Sequence, residues 1–194
     1  MQDHITNIPS QYEAIATTTR QLDFSMASDL YTGSLLKTLV ASKPGGRMLE
    51  LGTGSGLATS WMVSGLDKDA VLVTVENNAL LLSVAQKNLR DSRINFVLED
   101  GYKWLTEYDG EKFDLIFADA MPGKYDLFEE AFSLLKTGGF YIIDDMLPQS
   151  NWPEGHAERV NAFINHLENR NEIVLTKLNW STGIIIAVKA SVKK

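Results

Sequence analysis

Short runs of consecutive apolar residues alternate along the chain with segments whose apolar residues recur every three or four positions. The runs Met48–Leu51, Val71–Glu76, Asn95–Glu99, Phe113–Asp119, Phe140–Asp145, Ile173–Leu178 and Gly183–Val188 predict strands. Near-continuous apolarity is what strands buried on both faces require. Between them, Leu81, Val84, Ala85 and Leu89, then Phe128, Ala131, Phe132 and Leu135, then Val160, Phe163, Ile164 and Leu167 fall at helical spacing. Gly138-Gly139 is expected to stop the second of these helices. Strands alternating with helices predict an α/β chain with a mostly parallel sheet covered by helices. Only Asn179-Trp180-Ser181-Thr182 separates the last two strands, too little for a parallel crossover, so they are expected to form an antiparallel hairpin at one edge. Residues 10 to 43 read as helical, with Leu35, Leu36, Leu39 and Val40 as an apolar stripe, and are expected to cover the site.

A chain of 194 residues is enough for one domain that buries roughly 70% of its unfolded surface. No apolar run approaches the roughly 20 residues that span a bilayer, and MQDHITNIPSQYE carries no secretory pattern. No membrane association is expected. The chain has no cysteine, which excludes disulfides, thiolate nucleophiles and Cys-ligated metals and makes the cytoplasm the expected compartment. A formal charge of -7, with no basic run beyond Lys193-Lys194, offers nucleic acid no electrostatic footprint. The expected partner is a small molecule, and a homodimer is compatible with the composition.

The strongest local signal is Glu50-Leu51-Gly52-Thr53-Gly54-Ser55-Gly56-Leu57, where a buried strand turns into a helix. Glycines there let the backbone approach a ligand. A dinucleotide fingerprint would place its third glycine three residues after the second, whereas Gly52, Gly54 and Gly56 are evenly spaced. Glu76, at the end of the second strand, stands where a doubly wound fold puts a carboxylate that binds ribose hydroxyls. A nucleoside-bearing cofactor is implied.

From about Met48 to Val188 the chain resembles the class I S-adenosylmethionine (SAM)-dependent methyltransferases. The resemblance is carried by the glycine loop with Glu50, by Glu76, by Asp100 in Leu98-Glu99-Asp100-Gly101, and by Leu134-Leu135-Lys136-Thr137-Gly138-Gly139 before strand five. It implies a Rossmann-like three-layer sandwich whose seven-stranded, mostly parallel sheet ends in an antiparallel C-terminal hairpin. Residues 1–194 would form one methyltransferase domain, with 1–44 as the helical cover and 45–194 as the cofactor-binding core. It also implies SAM as cofactor, contacted by Glu50, Gly52, Thr53, Gly54, Ser55, Gly56, Glu76, Asn77, Asp100, Gly101 and Asp119. Glu50 has a second reading, as a carboxylate that holds backbone amides of the adjoining helix.

Asp119 ends the fourth strand, and Asp144-Asp145 end the fifth. Carboxyl ends of parallel strands line the ligand crevice, and three carboxylates converging there call for protons or a hard cation such as Mg²⁺. Such an ion would lower the pKa of a substrate hydroxyl. The set resembles the metal-dependent O-methyltransferases of the catechol and caffeoyl-coenzyme A type, which implies Asp119, Asp144 and Asp145 as metal ligands. Asp145 stands where that family usually has Asn. Pro122 stands where it often has a basic lysine, and the nearest lysine is Lys124. The alternative is that Asp119 contacts cofactor or water while Asp144 and Asp145 cap the turn.

The catalytic candidates are Asp119, Lys124 and His156. His156 could relay a proton or stand solvated at a helix start. Trp152 could stack on an aromatic substrate or pack on the N-terminal helices, and Trp104 could meet adenine or belong to the core. His4 and His166 read as surface residues. The expected activity is SAM-dependent O-methylation of a small acceptor, an aromatic hydroxyl being one candidate. The alternatives are a metal-independent N- or C-methyltransferase, an aminopropyl transferase and a non-catalytic cofactor-binding domain. Asp119-Ala120-Met121-Pro122 departs from the motif of nucleic-acid amino methylases.

Overall fold

Seven strands form one sheet in the order β3-β2-β1-β4-β5-β7-β6. A computed structural model describes residues 4–150 and 152–191; Lys193 and Lys194 lie outside the described residues. In chain order the elements are α1 (Tyr12–Gln21), α2 (Leu30–Ala41), β1 (Arg47–Leu51), α3 (Leu57–Gly65), β2 (Val71–Glu76), α4 (Ala79–Asn88), β3 (Ile94–Leu98) and α5 (Gly101–Glu107). There follow β4 (Phe113–Ala118), α6 (Phe128–Ser133), β5 (Leu135–Ile143), α7 (His156–Glu168), β6 (Ile173–Leu178) and β7 (Ile184–Lys189). β1 to β5 are parallel, and β7 runs antiparallel between β5 and β6. The sequence-predicted hairpin is therefore present, with β6 as the edge.

Alternate residues of each central strand serve opposite faces. Leu49, Leu51, Val73, Val75, Ile116, Ala118, Tyr141 and Ile143 pack with Trp104, Phe128, Phe132 and Phe163 of α5, α6 and α7. Met48, Leu72, Leu115, Phe117 and Ile142 pack with Leu36 and Val40 of α2 and Ala58 and Met62 of α3. The result is a three-layer α/β sandwich, as the apolar runs predicted. A third cluster seats Ile15 and Ala16 of α1 on Leu57, Val84, Ala85 and Leu89. Among the described residues no helix is long and apolar enough to cross a membrane.

Three expectations change in detail. Gly138-Gly139 do not stop α6, which ends at Ser133; they lie inside β5. Leu135 already pairs with Phe113, and the register then shifts before Leu115 meets Phe140, so the glycines accommodate an irregular strand. The strands also end before the acids expected to close them. Leu98, Ala118 and Ile143 are last, which leaves Glu99, Asp119, Asp144 and Asp145 on the loops beyond. Finally, the expected cover is two helices broken at 22–29, with Asp29 capping α2 by accepting from the amides of Tyr31 and Thr32.

The strand order reverses between β1 and β4, where Leu51 pairs with Ala118. Their two following loops, starting at Gly52 and Asp119, therefore open a crevice.

Candidate functional site

Two adjoining cavities fill this crevice. The smaller, about 250 Å³, lies between the ends of β1 and β2 and the start of α5, and is lined by Leu51, Val75, Glu76, Asp100, Gly101, Met121 and Pro122 among others. The larger, about 620 Å³, continues over the glycine loop to the acids after β4 and β5. Gly52, Glu76, Asn77, Ala120 and Met121 border both.

The glycine loop is shaped by three left-handed residues, with φ of 98° at Gly52, 52° at Gly54 and 96° at Gly56. A side chain at Gly52 would meet the Asp119 carbonyl oxygen at 2.7 Å, so only glycine lets the two loops approach. Glu76 braces the loop: its Oε2 accepts from the Gly54 amide at 2.8 Å and its Oε1 from the Asn78 amide at 2.8 Å. The same carboxylate faces both cavities and keeps lone pairs for further donors. Asp100 caps α5 through the amides of Tyr102 and Lys103 while lining the smaller cavity. Thr53, Gly54 and Ser55 line the larger one; Gly56 lines neither and packs on Ala85.

Glu50 also lines neither cavity. It is wholly buried behind the loop, where its Oε2 accepts from Thr59 Oγ1 at 2.6 Å and Thr74 Oγ1 at 2.5 Å. Because Thr74 donates its proton to Glu50, Thr53 donates to Thr74, also at 2.5 Å. Glu50 thus reaches the glycine loop through a hydroxyl relay instead of facing the crevice. Burial raises its carboxyl to about 7, with the two threonine hydroxyls opposing that rise.

At the far end, Asp119, Lys124, Asp144 and Asp145 converge on the larger cavity. Asp144 accepts from Thr182 Oγ1 at 2.6 Å and from the Asp145 amide at 2.8 Å. Asp145, held at φ 60°, accepts from Gln149 Nε2 at 2.8 Å. Burial lifts Asp144 to about 6, and burial with the Asp144 charge lifts Asp119 well above the usual carboxylate range. Lys124 is only 4% exposed, its Nζ 4.0 Å from Asp119 Oδ1 and 3.7 Å from Asp145 Oδ2. Its approach depends on Gly123, whose φ of 84° turns the chain back toward Asp126; Tyr141 donates its hydroxyl to the Gly123 carbonyl.

The three carboxylates, taken as expected metal ligands, do not form a divalent-ion pocket as they stand. Among the described residues no three His, Cys, Asp or Glu side chains are arranged to hold an ion, and a buried ammonium lies between two of the three.

The segment 22–29 closes the crevice from above. Phe24 lies over Gly54, and Thr19 of α1 donates to Ser55 at 2.7 Å. Opposite, Trp152, His156 and Tyr125 form an aromatic wall with ring centres 4.7 Å and 5.2 Å apart. Trp152 therefore faces the cavity and the α7 side of the core instead of the N-terminal helices. Trp104 is a core residue stacked on Tyr108. His4 is exposed, and exposed His166 pairs with Glu129. Sequence reasoning missed the contributions of Phe24, Ser28, Tyr125 and Thr182; only Tyr125, beside Lys124, carried a local signal.

The family model described as O-methyltransferase matches residues 9–189. A curated relative from Mycobacterium ulcerans is 31% identical over 117 residues, covering 57% of this chain and 52% of the relative. The match spans about half the length of such relatives. Among solved structures, the O-methyltransferase TomG of Streptomyces achromogenes, involved in tomaymycin synthesis and crystallised with SAM, superposes with a TM-score of 0.83 at 22% identity. That superposition covers 94% of this chain and 90% of TomG. An O-methyltransferase from Bacillus cereus in complex with SAH gives 0.84 at 22% identity, covering 96% and 94%. At this identity the two structures speak to the fold.

Proposed function

Since the chain belongs to the O-methyltransferase family, we propose that it transfers a methyl group from SAM to a hydroxyl oxygen of a small molecule held in the larger cavity. The observation that carries this reading is the continuity of the two cavities across Glu76, Gly52 and Met121, with the acid cluster and Lys124 at the far end.

The smaller cavity suits a nucleoside. Glu76 stands to take ribose hydroxyls, Asp100 the polar edge of adenine, and Leu51, Met121 and Pro122 its faces. Gly52, Thr53, Gly54, Ser55 and Asn77 stand where the amino-acid end would lie. When bound, SAM supplies a methyl carbon made electrophilic by a sulfonium.

An acceptor hydroxyl entering between Lys124 and Asp119 meets both an ammonium and a proton-accepting carboxylate. The Asp119 carboxylate takes the hydroxyl proton more readily than a solvated carboxylate would, because burial raises its proton affinity. Lys124 offsets the negative charge that develops on the oxygen. Trp152, His156 and Tyr125 wall the site against water and orient a flat acceptor. No covalent enzyme nucleophile is required.

The test is calorimetric titration with S-adenosylhomocysteine, followed by mass-spectrometric scoring of methyl products over a panel of phenolic and aliphatic hydroxyl acceptors. Micromolar binding that Glu76→Ala weakens by about 1–3 kcal/mol supports the cofactor site, and an O-methylated product supports the reaction. Absence of binding to the wild type overturns the reading.

A further inference from the structure

We propose that the Lys124 ammonium stands in for a divalent cation in the acid cluster, so that the positive charge facing the acceptor oxygen is supplied by the chain itself.

Asp144 is buried and the Asp119 side chain is only 12% exposed, and both sit within one cluster with Asp145. Buried carboxylates need compensation, and a buried lysine needs the same in the opposite sense. Lys124 answers both at once: its Nζ is 3.7 Å from Asp145 and 4.0 Å from Asp119. Those distances are ion-pair separations slightly too long for direct hydrogen bonds. They leave room for one oxygen atom to bridge ammonium and carboxylate, which is the position an acceptor hydroxyl needs.

One oxygen of each carboxylate is already engaged by the chain. Asp119 Oδ2 accepts from Ser28 at 3.0 Å, Asp144 Oδ1 from Thr182 and the Asp145 amide, and Asp145 Oδ1 from Gln149. A hard divalent ion gathers its oxygens at about 2.0–2.6 Å. Here it would have to displace the lysine or share its space, and two cations in one small buried site repel.

The lysine is also aimed. The amides of Lys124, Tyr125 and Asp126 all turn onto the Met121 carbonyl, and Tyr141 pins the Gly123 carbonyl from the sheet. A position five residues after Asp119 thereby reaches the cluster through a turn instead of along a helix.

Binding of Mn²⁺ to the full chain without cofactor tests this independently of the methyltransferase reading, on which only the role toward an acceptor rests. Chelator-stripped wild type and the variants Lys124→Arg, Lys124→Gln and Lys124→Ala are titrated by paramagnetic resonance and thermal melting. Wild type and Lys124→Arg are expected to show no saturable Mn²⁺ binding and a constant Tm. Lys124→Ala and Lys124→Gln are expected to gain one site, with Tm rising by about 3–6 °C at tenfold excess over Kd. Saturable Mn²⁺ binding to the wild type overturns the proposal, even if the uncharged variants fail to fold. So does a lack of binding in every protein, since the cluster would then not be a cation site. Failure of S-adenosylhomocysteine to bind would remove the methyltransferase reading and leave this result standing.

Discussion

Ser28, on the segment between the first two helices, donates its hydroxyl to Asp119 Oδ2 at 3.0 Å across 91 positions of sequence. That bond ties the cover of the crevice to the carboxylate at its floor. The hydroxyl favours the ionised form of Asp119, opposing burial and the Asp144 charge. Ser28→Ala is expected to cost about 1–3 kcal/mol and to expose the 22–29 segment to faster limited proteolysis. Unchanged proteolysis and an unchanged melt would mean that the cover is held by Phe24 and Thr19 alone.

Gly123 is the second pivot. Its φ of 84° lies in the left-handed region, and a side chain there would meet Leu51 Cδ1 at 2.3 Å. Gly123→Ala is expected to cost about 2–4 kcal/mol of stability and to slow methyl transfer by about a hundredfold through displacement of Lys124. S-adenosylhomocysteine binding should fall far less, because Glu76 and Asp100 are placed by β2 and α5. Equal losses of binding and turnover would show that the turn supports the cofactor instead.

Tyr125 lines the larger cavity, yet its buried hydroxyl has no hydrogen-bond partner among the described residues. Burial and the Asp145 charge push it up to about 12, so it stays protonated and able to donate. An acceptor is expected to complete this group. Tyr125→Phe should leave folding stability unchanged or slightly higher, while raising acceptor KM about tenfold at constant kcat. A fall in kcat with unchanged KM would refute a ground-state binding role.

Glu50 governs a pH-dependent term in stability. Folded, it holds its proton up to about pH 7; its ordinary value is 4.5. The folded state binds more protons between those values, so the contribution is complete below about pH 4.5 and is lost as pH rises through 7. At 1.36 kcal/mol per pH unit this amounts to on the order of 3 kcal/mol. Glu50→Gln removes it. Denaturant melts should show the variant close to wild type near pH 5 and more stable above pH 7. Asp119 and Asp144 are raised in the same sense, but they are present in both proteins and cancel in the difference. Parallel stability profiles would contradict the burial argument.

Much of this architecture was legible because it depends on neighbours in sequence. Apolar runs such as Leu115, Ile116 and Phe117 declare strands covered on both sides, and the five residues between β6 and β7 permit only a hairpin. Glycines at 52 and 54, the acid that ends β2 and the acids just beyond β3, β4 and β5 announce a crevice because strand ends in a parallel sheet share one edge. Where the acids lie was foreseeable; what each of them touches was not. Gly138 and Gly139 lie within β5 because a glycine pair that fits a helix stop also fits an irregular strand.

The sequence by itself determined the strand and helix periods, the glycine loop and the carboxylates at the strand ends, since each follows from the spacing of residues a few positions apart. Tertiary structure decided the rest. Glu50 turned away from the crevice because Thr59 and Thr74 captured its carboxylate from α3 and β2. Ser28 met Asp119 because packing of α1 and α2 brought their connecting segment over the glycine loop. Lys124 entered the acid cluster because Tyr141 and Leu51, distant in sequence, fixed the turn at Gly123. Those outcomes depend on contacts that form only once the sheet has assembled, and no local pattern encodes them.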